Sequence, residues 1–138
     1  MTPSDRVTQF VASMADWERK TYSVMTSGSV PGEQELAPAR ASLHTIYDEH
    51  LTERAKGPEK WGMRLTALAP SSPPQYDQEL TGTEDGPKPS VAYVLARHRV
   101  ATHKSYRYSV VLDAKGKPLI DDIRVAYVEG GDWKRCPY

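Results

Sequence analysis

The chain has 138 residues, 38% apolar and 26% charged, which is enough for one domain with a real core. Eighteen basic residues face eighteen acidic ones, for a formal net charge of zero; a general nucleic-acid binder, which carries a basic surplus, is excluded as the simple reading. The single cysteine, Cys136, has no internal disulfide partner and suits a reducing compartment. The start, MTPSDRV, lacks the basic and apolar segments of a secretion signal, and no run is long enough to cross a bilayer. Cytoplasmic placement is the simplest expectation.

The first element is TPSDRVTQFVASMADWERKTYSVM, where Val7, Phe10, Val11, Met14 and Trp17 recur at helical spacing. Thr2 suits the N-cap, Pro3 the first helical position and Asp5 the third, which predicts a helix over about residues 3 to 22. Burying such a stripe is worth roughly 1.5–3 kcal/mol per side chain before entropy, so the helix must pack on something. Gly28, Pro31 and Gly32 then break the pattern. Leu43, Ile46, Tyr47, His50 and Leu51 restore it and predict a second helix over about residues 38 to 56, with Pro38 in its first turn and Gly57–Pro58 as its stop.

The second half changes period. WGMRLTALAP reads as a short strand, and another is expected near Tyr76 after a proline-rich loop. SVAYVLARHRV is apolar on both faces and reads as a covered central strand. KSYRYSVVLD alternates, with Tyr106, Tyr108, Val110 and Leu112 opposing Arg107 and Ser109. AKGK is a hairpin return through Gly116. PLIDDIRVAYV runs back with Leu119, Asp121, Ile123, Val125 and Tyr127 on one face and Ile120, Asp122, Arg124, Ala126 and Val128 on the other. EGGDWKRCPY, over residues 129–138, reads as an exposed tail or small cap around Trp133. Helices followed by a curved antiparallel sheet define a single α+β domain over residues 1–138.

That order of elements resembles the NTF2-like fold. FVASMADWE, LHTIYDEHLTERA, PPQYD and the terminal hairpin YRYSVVLDAKGKPLIDD, together spanning about residues 6 to 128, resemble the NTF2-fold immunity proteins of bacterial polymorphic toxin systems. Such proteins often carry a tryptophan ahead of the isoleucine–aspartate pair; this chain has Pro118 and Leu119 there. The resemblance implies an NTF2-like cone and a non-catalytic protein without cofactor or metal. Its implied partner is a cognate toxin C-terminal domain, usually encoded adjacent, which it binds and neutralises.

Adjacent strand residues point to opposite faces, so Asp121 and Asp122 do not form a carboxylate pair alone; one would face the interior and one solvent or a partner. An interior aspartate would need Arg107, His98 or Tyr106 to offset desolvation. His98 and His103, with Arg97 and Arg99, offer a base but equally mark a strand end. His44 and His50 are six apart and carry no metal signature, and Cys136 lacks a base. Arg107 between two tyrosines suits recognition once the tyrosines pack inward. Asp48, Glu49 and Glu53 give either a solvated helix face or an acidic patch, and Trp133 either an anchor or a core plug.

Two functions are thereby set against each other. Toxin binding would use Arg107, Asp122, Asp48, Glu49, Glu53 and Trp133. A small isomerase or hydrolase acting on a hydrophobic ligand would use Asp121, Asp122, His98 and Tyr106 in an interior pocket. A homodimer through the curved sheet is compatible with either.

Overall fold

A computed structural model describes residues 1–28, 30–57 and 72–136. Helix α1 spans Pro3–Met25, one turn longer than its periodicity indicates. Its start is a capping box: Thr2 Oγ1 accepts from the Asp5 amide at 3.1 Å, and Asp5 Oδ2 accepts from the Thr2 amide at 2.9 Å. Val7, Phe10, Val11, Met14 and Trp17 are all buried. Two charged residues lie on the same buried stripe, Arg6 at 2% exposure and Glu18 at 0%.

Helix α2 runs Glu33–His50, starting earlier and ending sooner than expected. Gly32 is the N-cap, and its amide donates to Glu35 Oε2 at 2.9 Å; the apparent breaker is therefore a helix start. Pro38 consequently sits inside the helix rather than in its first turn. At the other end Leu51 turns extended and forms a parallel bridge with Ile120, while the Thr52 amide donates to the Ile120 carbonyl at 2.9 Å. Thr52 then caps a separate short helix, α3, over Glu53–Lys56. The single helix expected to reach residue 56 is broken because residues 51 and 52 bond to a strand instead. The strand expected in WGMRLTALAP lies outside the described residues.

Five strands follow: β1 (Gln78–Asp85), β2 (Val91–His98), β3 (Ser105–Leu112), β4 (Pro118–Ala126) and β5 (Lys134–Arg135). They form one antiparallel sheet in chain order. β2 is an interior strand, paired with β1 and β3 as expected, but it is covered on one face alone: Val94, Ala96 and His98 are buried, while Val91, Tyr93 and Leu95 are half-buried on the other. On β3, Tyr106, Tyr108 and Val110 face the core as expected, whereas Leu112 at the strand end is exposed. The β3–β4 return uses Gly116 at φ 79°, a left-handed conformation that glycine adopts without a Cβ clash. Residues 129–136 are not a free tail: Lys134 and Arg135 pair with Val125 and Arg124, and the Cys136 side chain is buried.

β4 departs most from simple alternation. Its register with β3 slips between Ser109 and Val110, which oppose Asp122 and Ile120, so Asp121 is an inserted bulge residue. Ile120 and Ile123, expected on opposite faces, are both fully buried.

Helix α1 packs on α2 on one side and on β1 through β4 on the other. Between helix and sheet, the Phe10 ring meets His50, Tyr76 and Tyr108 edge-on, with centroids 5.8, 5.4 and 6.4 Å away. N-terminal helices laid on a multi-stranded antiparallel sheet make the expected α+β arrangement, consistent with an NTF2-like architecture. Phe10 is its central packing residue. Phe10→Ala is expected to lower stability in urea unfolding by about 3–5 kcal/mol, whereas Val30→Ala, at 96% exposure, changes it by less than about 0.5 kcal/mol. A loss below about 1 kcal/mol for Phe10→Ala would show that the core is not organised around this ring.

Candidate functional site on the open sheet face

Strand alternation sends Tyr106 and Tyr108 inward and Arg107 to the face away from the helices. The strand register then sets Arg107 opposite Arg124, and Arg124 opposite Arg135. Three arginines thus stand abreast on neighbouring strands, where like charges repel unless something answers them. Each is handled differently.

Arg124 is paired: its Nε lies 2.6 Å from Asp122 Oδ2. Asp122 and Arg124 share a face two positions apart, and the bulge at Asp121 turns both of them outward. Arg107 lies between two rings, its guanidinium carbon 4.3 Å from the Tyr93 centroid and 5.2 Å from that of Trp133. Trp133 reaches it because the chain reverses after β4 through Gly130, at φ 71°. Arg107 Nε is buried and has no hydrogen-bond partner among the described residues. Arg135 is exposed, with no ion pair among them. A groove of about 480 Å³ adjoins the row, lined among others by Leu95, Arg97, His103, Glu129 and Trp133. Arg97 at its rim is paired with Glu79 at 2.8 Å.

Of the residues expected to meet a partner, the structure brings Arg107, Asp122 and Trp133 together here. Asp48, Glu49 and Glu53 belong instead to α2 and α3. Lys56 Nζ lies 3.2 Å from Asp48 and 2.6 Å from Glu53, and its hydrogen bond to Glu53 is the main cause of its raised pKa. That acidic run is partly neutralised within the helical layer. Tyr93, Arg124 and Arg135 were not singled out from sequence; their place depends on the bulge and on β5, which hydropathy alone does not reveal.

The residues proposed for acid–base chemistry are not assembled. Asp121 accepts from Thr52 Oγ1 at 2.7 Å and from both Nε and Nη2 of Arg54, tying α3 to β4. Neither aspartate enters the core, contrary to the expectation that one would face the interior. His98 Nδ1 accepts from the amides of Val100 and Ala101 at 3.1 and 2.9 Å, so Nε2 carries the proton toward the Pro74 carbonyl at 2.8 Å. His98 thus organises the β2–β3 turn. Tyr106 shares a groove of about 350 Å³ with His98, Gln75 and Cys136, but neither Asp121 nor Asp122 lines it. Burial pushes the Tyr106 phenol well above its ordinary pKa. Among the described residues, no group of three or more His, Cys, Asp or Glu side chains is placed to hold a metal ion.

The buried polar residues of the interior are engaged in holding elements together. Arg6 donates from Nε to the Pro118 carbonyl and from Nη1 to His50 Nδ1, each at 2.8 Å. Glu18 Oε2 accepts from the Tyr76 amide at 3.0 Å, and Tyr108 donates to Gln78 Oε1 at 2.5 Å. Burial pushes the His50 pKa down to about 4, assisted by the Arg6 and Lys117 cations and opposed by Glu49.

A family model described as NTF2 fold immunity protein matches residues 2–136. The chain belongs to the NTF2 fold immunity protein family. No curated protein and no solved structure matches it.

His50 gives the fold a defined acid response. Its folded pKa lies below its unfolded value near 6.5, so between those values the unfolded chain binds more protons. Its contribution to stability is present above about pH 6.5 and is lost as pH falls toward about 4, to a total of about 3 kcal/mol. Urea unfolding from pH 7 to 4 should show this slope in the wild type and a flatter one in His50→Gln; equal slopes would remove His50 as its source.

Proposed function

We propose that this protein is an immunity protein that binds a cognate bacterial toxin domain and neutralises it without turnover, in the cytoplasm of the producing cell. The family match supports an immunity role within a toxin system. The observation that carries the non-catalytic reading is the contrast between the two faces of the sheet. Among the described residues, the helix-facing side packs the Phe10 ring against His50, Tyr76 and Tyr108, and its charged groups Arg6 and Glu18 are taken up in structural hydrogen bonds. The other side presents arginine and aromatic side chains together, a combination that suits macromolecular recognition. The isomerase or hydrolase reading lacks its essential pairing, because Asp121 and Asp122 are held by Arg54 and Arg124 and stand outside the groove of His98 and Tyr106.

Co-expression with the toxin C-terminal domain encoded beside this chain is expected to restore growth to cells that the domain alone kills. The two purified proteins should then elute as one complex in gel filtration. Separate elution together with no protection would end the reading.

A further inference from the structure

We infer that the open sheet face receives an acidic segment of the toxin domain, whose carboxylates engage the row Arg107, Arg124 and Arg135. The inference rests on the toxin-binding reading and specifies its surface and partner chemistry. Three features of the row lead there. First, the register sets the three arginines at facing positions on adjacent strands, whose backbones lie about 5 Å apart per step, so they form a row of positive charge rather than scattered cations. Second, the face answers only part of that charge. Asp122 is committed to Arg124, and the nearby Glu79 to Arg97, while Arg107 and Arg135 have no carboxylate among the described residues. Third, Arg107 Nε is buried with no acceptor, although such groups in folded proteins are nearly always satisfied. The rings of Tyr93 and Trp133 hold the Arg107 guanidinium in place before binding. A fork held this way loses little freedom when a planar carboxylate arrives.

A phosphate backbone fits the same face less well. The chain as a whole carries no net positive charge. Glu79, Glu129 and Asp122 border or interrupt the arginines and would repel a continuous anion. Tyr93 and Trp133 are already stacked on Arg107, which leaves them less available to nucleobases.

The test is calorimetric titration of the toxin domain encoded beside this chain into the wild type and three variants. Arg135→Glu changes an exposed side chain without an ion pair and leaves the core untouched. Arg107→Lys keeps the charge but removes the planar fork. Lys20→Glu, at an exposed position of α1 where only the surface pair with Asp16 is lost, is the control. Arg135→Glu is expected to weaken binding at least about 10-fold, and Arg107→Lys by a similar factor, with Lys20→Glu within about 2-fold. Wild-type affinity should fall as sodium chloride rises from 50 to 300 mM. Thermal melts confirm that each variant is folded.

Wild-type binding with Arg135→Glu and Arg107→Lys unaffected would overturn the surface assignment and leave toxin binding standing. Tighter binding by Arg135→Glu would overturn the acidic chemistry. No complex with the wild type would end the toxin-binding reading and this inference with it. A 20-mer of polyuridylate that binds the wild type but not Arg135→Glu, with toxin affinity unchanged, would assign the face to nucleic acid.

Discussion

One inserted residue in β4 reconciles two demands that strict alternation sets against each other. The core needs both Ile120 and Ile123, three positions apart, on the helix side of the sheet. In a regular strand that spacing would send one of them outward. The bulge at Asp121 restores both to the interior. It also leaves Asp121 beside Arg54 and sets the Asp122–Arg124 pair on the outer face, so one irregularity serves the core, the docking of α3 and the charge balance of the outer face. β4 can bend there because its far edge is served by separate segments on either side, Leu51 at Ile120 and β5 at Arg124 and Val125.

The interior uses the same economy with its polar groups. Arg6 and Glu18 lie on the apolar stripe of α1, and each bonds a distant part of the chain: Arg6 the start of β4 and the last residue of α2, Glu18 the segment entering β1. Without those bonds, burying either charge would be costly. They fix where the helix sits along the sheet more narrowly than apolar packing would, since apolar contacts tolerate sliding and directed hydrogen bonds do not. A neutral His50 is part of that arrangement: only its deprotonated Nδ1 can accept from Arg6.

What was legible in the sequence followed local rules. Thr2, Pro3 and Asp5 announced the start of α1, and its apolar stripe named the core side chains. The tyrosine alternation of β3 and the Gly116 return were equally plain. The failures were places where distant segments decide the outcome. Residues 51 and 52 leave the helix because Ile120 offers them a partner, and nothing within the helical pattern marks that. Gly32 reads as a breaker until Glu35 is seen to bond its amide. On the candidate site, Arg107, Asp122 and Trp133 were identifiable as residue types suited to recognition. Their companions Arg124 and Arg135 join them only through the bulge and a two-residue strand, both invisible to a period-two pattern.

The borders of the sheet bear on self-association. On one side β4 already has its free backbone groups answered by Leu51, Thr52 and the β5 segment. On the other, β1 is the outermost strand among the described residues; it is interrupted at Thr81 and ends in exposed Glu84 and Asp85. A kinked, acidic border repels a second copy of itself and offers no straight ladder for strand addition. Among the described residues, then, neither border of the sheet presents a long, straight run of open backbone groups on which edge-joined ribbons could grow.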